Sequence, residues 1–443
     1  MTTPAARTPS RDPRTPGQVI RGLIPSVYAP TLLEFAGLSA LMPVIPLIAR
    51  DLGFTVPQAA ALTTIFGLIS FLGPIPAGRL IAGLGARPAL MLTGALLVLS
   101  NVLAFVVIGP AVGGESSLRH RMMLIAMLLV MAVCMQVWHL GRQTYLGTAL
   151  PSAMRARGMT LFGGTIRIGE VIGPLLGALV IALGSMAWVF VLLAVSSAAA
   201  TVMIAVFLPP GEAGRGAQVP RALRRPASPT KLRLDRAVLG RMVAVGLGIA
   251  PVMIARVNRP VILPLLGDHL GLDPVWISVV FGVSAALEIL LVIPAGTLMD
   301  RHGRAAVAVP CALVMGAGFL LVGLLGTVLA DHGTALAVTA LLVPSLLIGV
   351  GNGLGSGIVM TLGIDVSPVH GRTRYLGWWN TMLGAGRLAA PLIVTGVTLF
   401  APIAVAGAAT GAVCVVGGLW LMRVLPRVTP SGSTRRGGGE AAR

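Results

Sequence analysis

The sequence predicts an all-α membrane protein whose twelve transmembrane helices form two related halves of six. Hydrophobic residues make up 56% of the 443 positions, and only 11% are charged. A soluble globular protein carries about 25% charged residues. An internal repeat at an offset of 217 to 218 residues indicates that the chain consists of two related halves. Composition thus predicts a polytopic membrane protein, and the repeat predicts its architecture.

Twelve apolar segments are long enough to cross a hydrocarbon core of ~30 Å, which takes about 20 helical residues. They lie at roughly 24–49, 58–81, 88–110, 122–147, 159–183, 186–208, 239–266, 275–299, 306–330, 335–362, 375–399 and 401–423. The expected organisation is a disordered cytoplasmic tail, an N-terminal half, a cytoplasmic linker, a C-terminal half and a second cytoplasmic tail, at 1–20, 21–208, 209–237, 238–425 and 426–443.

The formal charge of +19 follows the expected topology of the segments. If the segments alternate in direction from an inside N-terminus, 25 of the 33 Lys and Arg residues fall on one side, three on the other and five within segments. Cytoplasmic loops carry such an excess of positive charge. The charge therefore predicts a bacterial plasma membrane protein with both termini in the cytoplasm and requires no nucleic-acid partner.

Matches between the two halves recur at several separate places. Pro46 and Gly53, around the end of the first segment, correspond to Pro264 and Gly271 after the seventh. The other pairs are Leu47 with Leu265, Leu52 with Leu270, Pro76 with Pro294, Gly78 with Gly296, Arg155 with Arg372, Arg157 with Arg374, Gly169 with Gly386, and Pro174 with Pro391. Separate matches at one spacing indicate duplication. Parallel halves around a central axis place a substrate site between them, near the bilayer midplane.

The segment IPAGTLMDRHGR, residues 293–304, ends the eighth apolar segment with an abrupt change to charged residues, as at a cytoplasmic helix end. Its last nine residues resemble the loop between helices 8 and 9 of the major facilitator superfamily. The resemblance covers residues 20–425 and implies a twelve-helix secondary transporter. The matching residues, expected to form a cytoplasmic gate, are Gly296, Asp300, Arg301, Gly303 and Arg304.

In that superfamily this loop latches helix 8 to helix 11 and favours the outward-open state. The first-half copy, residues 78–87, has Ala82 where Asp300 stands. We therefore expect an asymmetric gate, in which loss of the Asp300 carboxylate alone collapses transport.

A second motif, GEVIGPLLG at residues 169–177, resembles the helix-5 signature of the drug:proton antiporter branch. The resemblance implies export and a tightly packed, bendable helix at the boundary between the halves. The matching residues are Gly169, Gly173, Pro174 and Gly177. The arginine usual in helix 4 of that branch is replaced by Leu128, which keeps an uptake symporter or uniporter open as an alternative.

Three carboxylates within the segments are candidates for proton coupling, because an intramembrane charge costs about 3 kcal/mol and needs a reason. Glu34 either binds and releases a proton or forms a permanent pair with a neighbouring helix. Glu170 follows Arg167 by three residues, a spacing that favours an intrahelical pair. Glu288 is expected to meet Arg167 or Arg387 across the boundary between the halves.

Five arginines against three carboxylates within the segments leave a surplus of positive charge. A fixed guanidinium is best neutralised by an anion. Arg256 and Arg259 are therefore expected either to bind an anionic substrate group, or to reach the headgroups or pair with Asp268. The complete set of substrate-cavity candidates is His139, Arg142, Arg167, Arg256, Asn258, Arg259, Asn352 and Arg387.

The sequence contains no nucleophile elbow, no metal-ligand spacing and no nucleotide-binding pattern, and its three cysteines lie in apolar segments. We therefore predict a proton-driven transporter that works as a monomer in the bilayer, without a cofactor, and not an enzyme. Its expected activity is export of a drug-like compound or secondary metabolite. The alternatives are uptake of an anionic metabolite on the same fold, or a receptor that does not transport.

Overall fold

The computed structural model describes residues 16–150, 155–209, 235–329, 333–368 and 372–428. These residues form helices and turns, with no strand among them. Eleven helices are long and apolar enough to cross a membrane, and one bent pair brings the number to twelve. The spans are α1 (Pro16–Leu23, Ile24–Tyr28, Ala29–Leu41 and Ile45–Asp51), α2 (Val56–Leu62, Thr64–Leu72 and Pro74–Leu84), α3 (Ala86–Ile108), α4 (Leu118–Ala149), α5 (Arg155–Leu183), α6 (Trp188–Phe207), α7 (Arg236–His269), α8 (Pro274–His302), α9 (Ala305–Val328), α10 (Thr334–Leu354 and Ile358–Asp365), α11 (Arg372–Thr398) and α12 (Ile403–Val428).

The predicted all-α class with twelve spans is confirmed, although several helices are longer than their apolar segments. Helix α1 begins at Pro16, inside the expected tail, and α12 continues to Val428. Helices extend past the hydrocarbon core into the polar interface, where apolar runs no longer mark them. Most of the predicted linker and both outer tails, residues 1–15, 210–234 and 429–443, lie outside the described residues.

Two of the spans depart from regular α-helix at prolines. Helix α1 contains a π-helical segment, Ile24–Tyr28, that includes Pro25. Helix α2 bends by 59° between Leu72 and Pro74. Proline has no amide hydrogen and its ring displaces the carbonyl four residues earlier, which kinks a helix. Helices α5 and α7 instead continue unbroken through their internal prolines.

The spans pack into the two predicted halves. In the first half α1 lies against α5 and α6, and α3 against α4 and α6. In the second half α7 lies against α11 and α12, α8 against α10, and α9 against α10 and α12. We call the side where α1 begins and α12 ends the terminal face, and the other side the opposite face. The halves meet where α5 contacts α8, where α2 contacts α11, and where the last piece of α1 contacts α7.

The contacts between the halves run from the middle of the bundle to the opposite face. Leu175 of α5 packs on Gly282 of α8, and Phe71 of α2 packs on Gly384 of α11. Beyond the bend in α2, its last piece contacts α3 and α4 of its own half. A cavity of about 300 Å³ lies between the halves. We infer that it is covered on the opposite face and reached from the terminal face.

The glycines of the helix-5 motif face α1 within the first half. A Cβ placed on Gly173 would lie 2.4 Å from the carbonyl oxygen of Ala36, and one on Gly169 would lie 2.7 Å from Cβ of Phe35. Small residues allow this close approach of membrane helices. Helix α5 does lie at the boundary between the halves, but the glycine stripe does not, because α5 meets α8 with its other face. The motif therefore joins α5 to α1.

We expect Gly173→Ala to destabilise the protein by about 1–3 kcal/mol, because the added methyl group overlaps backbone atoms that cannot move aside. Thermal unfolding of the purified protein in detergent measures this as a lower Tm. Gly164→Ala on the same helix is the matched control, since nothing lies within 4 Å of its added Cβ. Equal Tm values for the two variants would contradict the tight α1–α5 contact.

Candidate functional site: the central cavity

The cavity is lined by residues from both halves, on α1, α5, α7, α8 and α10. Its polar residues are Ser39, Arg167, Glu170, Arg256, Arg259, Glu288 and Asn352, and the remaining lining residues are apolar. Ligand pockets commonly combine such an apolar wall with a few convergent polar groups. The position between the halves is where the duplicated sequence predicts a substrate site.

Glu288 of α8 lies between two arginines, one from each half. Nη1 of Arg259, in the same half, is 2.9 Å from one carboxylate oxygen, and Nη1 of Arg167, in the other half, is 2.5 Å from the second. Glu288 is only 4% exposed. A charge buried to this extent requires such pairing and hydrogen bonding.

The arginine that shares Glu288 from within its own half is held in place by a chain of hydrogen bonds. Nη2 of Arg259 donates to Oγ of Ser284 over 2.9 Å, and that hydroxyl donates to the carbonyl of Ser345 over 2.5 Å. The guanidinium also lies over the Phe281 ring, 5.2 Å from its centroid. Glu288 and Arg259 therefore form a fixed pair within the second half.

Arg167 is shared between the two halves. The same Nη1 atom that contacts Glu288 is 3.0 Å from a carboxylate oxygen of Glu170, three residues along α5. The Glu170 side chain is 39% exposed and faces the cavity. If the halves separate, Arg167 keeps Glu170 and Glu288 keeps Arg259. The cross-half contact can therefore break without leaving any of these four charges unpaired.

Two of the candidate arginines form no ion pair within the described part of the chain. Arg256, on the cavity wall, donates from Nη2 to the carbonyl of Gly355 over 2.8 Å, and its buried Nε has no hydrogen-bond partner. Arg387 of α11 is partly buried and is not among the residues that line the cavity, contrary to expectation. Asp268, one expected partner for Arg256 or Arg259, instead pairs with Arg50.

Glu34 and Arg142 form an ion pair inside the first half, and both side chains are 2% exposed. Arg142 also donates to Oγ1 of Thr31 over 2.7 Å and lies 4.7 Å from the centroid of the Trp138 ring. Neither charged residue is part of the cavity wall. The sequence left two roles open for Glu34, and the structure shows the one in which it is paired with a neighbouring helix. The structure also corrects the expectation that Arg142 lines the cavity.

Asn258 does not face the cavity either. It is fully buried and donates from Nδ2 to Oγ1 of Thr410 on α12, over 3.1 Å. Its neighbours Arg256 and Arg259 point to the cavity because they lie on another face of α7. His139 of α4, another expected cavity residue, is exposed, contacts the Phe162 ring at 6.1 Å between centroids, and is not among the residues that line the cavity.

The gate motif lies at the terminal end of α8. Gly303 ends the helix with a φ of +87°, a left-handed conformation that favours glycine. Asp300 and Arg301 are exposed, and Nε of Arg304 donates to Asp365 of α10 over 2.8 Å. The latch is expected to join this motif to α11, whose first side chains, at residues 372–374, lie outside the described set. The latch role of the motif therefore stays a prediction.

On the opposite face a second ion pair joins the halves. Nε of Arg50, at the end of α1, is 3.2 Å from Oδ2 of Asp268, at the end of α7. The two positions are 218 residues apart and therefore correspond in the repeat. The side chains are 36% and 39% exposed. We did not predict this pair from the charge pattern. The repeat offset could have indicated it, because it relates two oppositely charged positions.

Breaking the Glu34–Arg142 pair from one side should be costly. We expect Glu34→Gln or Arg142→Met alone to destabilise the protein by about 3–5 kcal/mol, because either change leaves a buried partner uncompensated. The double variant should recover most of that loss. A double-mutant cycle by thermal unfolding measures the coupling, with exposed Arg241→Met as the control. Additive losses would show that the pair is not energetically coupled.

Reversing one charge of the Arg50–Asp268 pair should open the opposite face. An exposed pair contributes about 0.2–1 kcal/mol, so Asp268→Arg should lower the closed-to-open ratio by up to about fivefold. Spin labels at Leu183 and Ala335, both exposed at this face, report the distance. The swapped pair, Arg50→Asp with Asp268→Arg, should restore the closed state. If the distance distribution is the same in both variants as in the unmodified protein, the Arg50–Asp268 pair does not help to close the opposite face.

Residues 30–258 and 245–442 match the family model of the Major Facilitator Superfamily. Similar solved structures include a POT family transporter in complex with 5-aminolevulinic acid, at 13% identity and a TM-score of 0.69 over 92% of this chain and 97% of that one. Peptide transporter POT in complex with sulfate is 14% identical, with a TM-score of 0.69 over 94% of this chain and 99% of that one. Nucleoside transporter NupG is 15% identical, with a TM-score of 0.64 over 92% of this chain and 99% of that one.

At these identities the likeness to solved structures shows the fold alone and does not distinguish the branch to which the chain belongs. No curated protein is similar to the chain in sequence. Members of the superfamily are transporters that need no cofactor. The family match covers nearly all of the twelve spans, and the structure has their two-half arrangement. The chain therefore belongs to the Major Facilitator Superfamily and is a multi-pass membrane transporter, not an enzyme.

Proposed function

We propose that the chain is a proton-coupled secondary transporter in which Glu170 carries the proton and the central cavity holds the substrate. The observation that supports this is the position of Arg167 between Glu170 and Glu288. Of the three carboxylate candidates, Glu170 is the one whose side chain is open to the cavity, while Glu34 and Glu288 are enclosed. A proton carrier must be reachable by water.

The proposed coupling follows from competition for one guanidinium. When Glu170 is ionised, it attracts Arg167 and weakens the contact of Arg167 with Glu288. When Glu170 takes up a proton, that competition ends, and Arg167 binds Glu288 more strongly across the halves. Protonation thus favours the conformation that is closed on the opposite face. Such a contact, made in one state and weakened in the other, is the two-state element that alternating access requires.

The sign of this coupling favours exchange of protons for substrate. We place the chain in the bacterial plasma membrane as a monomer, with both termini and the terminal face in the cytoplasm, in agreement with the positive-inside distribution. A proton taken up outside then closes the outer side and opens the cavity inward. Loss of the proton inside favours the return outward, now with substrate bound. We therefore favour export of a drug-like compound or secondary metabolite.

A second candidate function is uptake of an anionic metabolite on the same scaffold. The unneutralised guanidinium group of Arg256 favours it, because it suits a negatively charged substrate. Measuring how much of a compound accumulates in cells distinguishes export from uptake. For a shared set of fluorescent compounds and anionic metabolites, overexpression of an exporter lowers accumulation and overexpression of an uptake carrier raises it. A non-transporting receptor would change neither.

The coupling can be tested without knowing the substrate. With spin labels at Leu183 and Ala335, the closed fraction at the opposite face should rise as the pH is lowered through the titration of Glu170. Glu170→Gln mimics the protonated form, so its closed fraction should be high at every pH. Electron–electron distance measurements in nanodiscs provide the readout, after the native cysteines are replaced.

Glu115→Gln is the matched control, because Glu115 is an exposed carboxylate in the loop between α3 and α4. This variant should keep the pH dependence of the unmodified chain. If Glu170→Gln also keeps it, Glu170 is not the coupling carboxylate. In vesicles, movement driven by a pH gradient should be at least tenfold slower for Glu170→Gln than for the unmodified chain and Glu115→Gln, for whichever compound the accumulation assay identifies.

A further inference from the structure

We propose that the transported molecule carries an anionic group, of the carboxylate or phosphate kind, and that Arg256 binds it at the cavity wall. This inference rests on the proposed transport function and adds a substrate class to it. It starts from the five arginines within the apolar segments. Arg142 is neutralised by Glu34, Arg167 by Glu170 and Glu288, and Arg259 by Glu288. In the described part of the chain Arg256 and Arg387 form no ion pair, and of these two Arg256 is the one that lines the cavity.

The structure holds Arg256 in place without neutralising it. Its Nη2 donates to the carbonyl of Gly355, a buried residue in the turn that interrupts α10 between Leu354 and Ile358. A Cβ on Gly355 would lie 2.7 Å from this nitrogen and 2.3 Å from Sγ of Cys311, so glycine is needed for the approach. A carbonyl oxygen orients a guanidinium but does not cancel its charge. The fork of Arg256 is thereby preoriented at the cavity wall, with Nε still unbonded.

The guanidinium of Arg256 suits an anionic group at this position. It lies on the cavity wall, and its buried Nε has no hydrogen-bond partner. Arg387 and His139 are not among the residues that line the cavity. A bound carboxylate or phosphate group would neutralise Arg256 and accept hydrogen bonds from its planar guanidinium group.

The location of Arg256 favours a small molecule over a lipid. Arg256 belongs to the second half, and the cavity wall on which it lies also carries Ser39 and Glu170 of the first half. An anion held here therefore touches both moving parts of the transporter. Differential contact with two states is what allows a ligand to shift their populations.

Binding to the purified protein tests this proposal. Mono- and dicarboxylates and phosphate monoesters of metabolite size are each compared with the matching neutral amide or methyl ester, by thermal shift and then by calorimetry. We expect at least one anion to bind tenfold or more tightly than its neutral partner. Arg256→Gln should abolish that preference, and Arg256→Lys should retain part of it.

Arg241→Gln is the control, because Arg241 is an exposed arginine on the same helix as Arg256 and lies outside the cavity. It should bind like the unmodified protein. Arg256→Gln is compared only if it remains monodisperse with unchanged unfolding cooperativity, and Arg256→Lys provides the comparison if Arg256→Gln does not fold. If no anion is preferred over its neutral partner, or if the preference survives Arg256→Gln, the anion site is wrong.

Measurements in nanodiscs of neutral and of anionic phospholipid separate the two sources of an anionic group. Equal affinity in both supports a small-molecule site, whereas loss of binding in the anionic bilayer assigns the site to a lipid headgroup and overturns the substrate class. Binding also distinguishes this inference from the proposed coupling. If the closed fraction at the opposite face does not depend on pH but the anion is still preferred, only the coupling through Glu170 is contradicted. If the closed fraction depends on pH but no anion is preferred, only the anion site is contradicted.

Discussion

The contact between Arg167 and Glu288 constrains the rest of this structure. A carboxylate that is 4% exposed in the middle of a membrane protein needs a cation, and here it has one from each half. That redundancy matters more than the strength of either contact. With Arg259 alone, Glu288 would be satisfied and the halves would be unlinked. With Arg167 alone, separation would leave a buried charge without a partner. Two cations, with Glu170 as an alternative acceptor for the one that moves, let the contact form and break at low cost.

Packing within each half determines where movement takes place. The glycine stripe of α5 holds its backbone against α1, and Tyr28 of α1 adds a hydrogen bond to the Gly158 carbonyl, so that Arg167 moves with the first half. In the second half, the hydrogen bonds from Arg259 through Ser284 to α10 fix Glu288. Tightly packed interiors shift as units and do not deform continuously. The plane between α5 and α8 is therefore the place where a change in charge can produce a change in access, and the cavity lies beside it.

The sequence predicted the fold almost completely and the site only in part, for physical reasons that differ between residues. Apolar length identified the spans because the hydrocarbon core sets it, and counting along α5 and α8 placed Glu170 and Glu288 at similar depth. Depth does not fix the direction in which a side chain points. Asn258, between two cavity arginines, faces α12, and Arg142 meets Glu34, 108 positions earlier, through a helix contact that no local pattern encodes. The 59° bend that opens the terminal side likewise depends on how α2 packs around Gly73 and Pro74.

The duplicated sequence explains why its charges are distributed so unevenly. Equivalent positions of two parallel halves lie opposite each other across the central axis, so a charge retained in both copies would face a like charge. Arg50 and Asp268 are equivalent at an offset of 218, and Glu170 and Arg387 are equivalent at an offset of 217. In both cases the two halves carry opposite charges. At the surface this difference creates an attraction that closes the opposite face. Near the cavity it gives the first half the carboxylate that we propose as the proton carrier, while the equivalent position of the second half is an arginine. On this argument a symmetric scaffold acquires directional transport by placing opposite charges at equivalent positions.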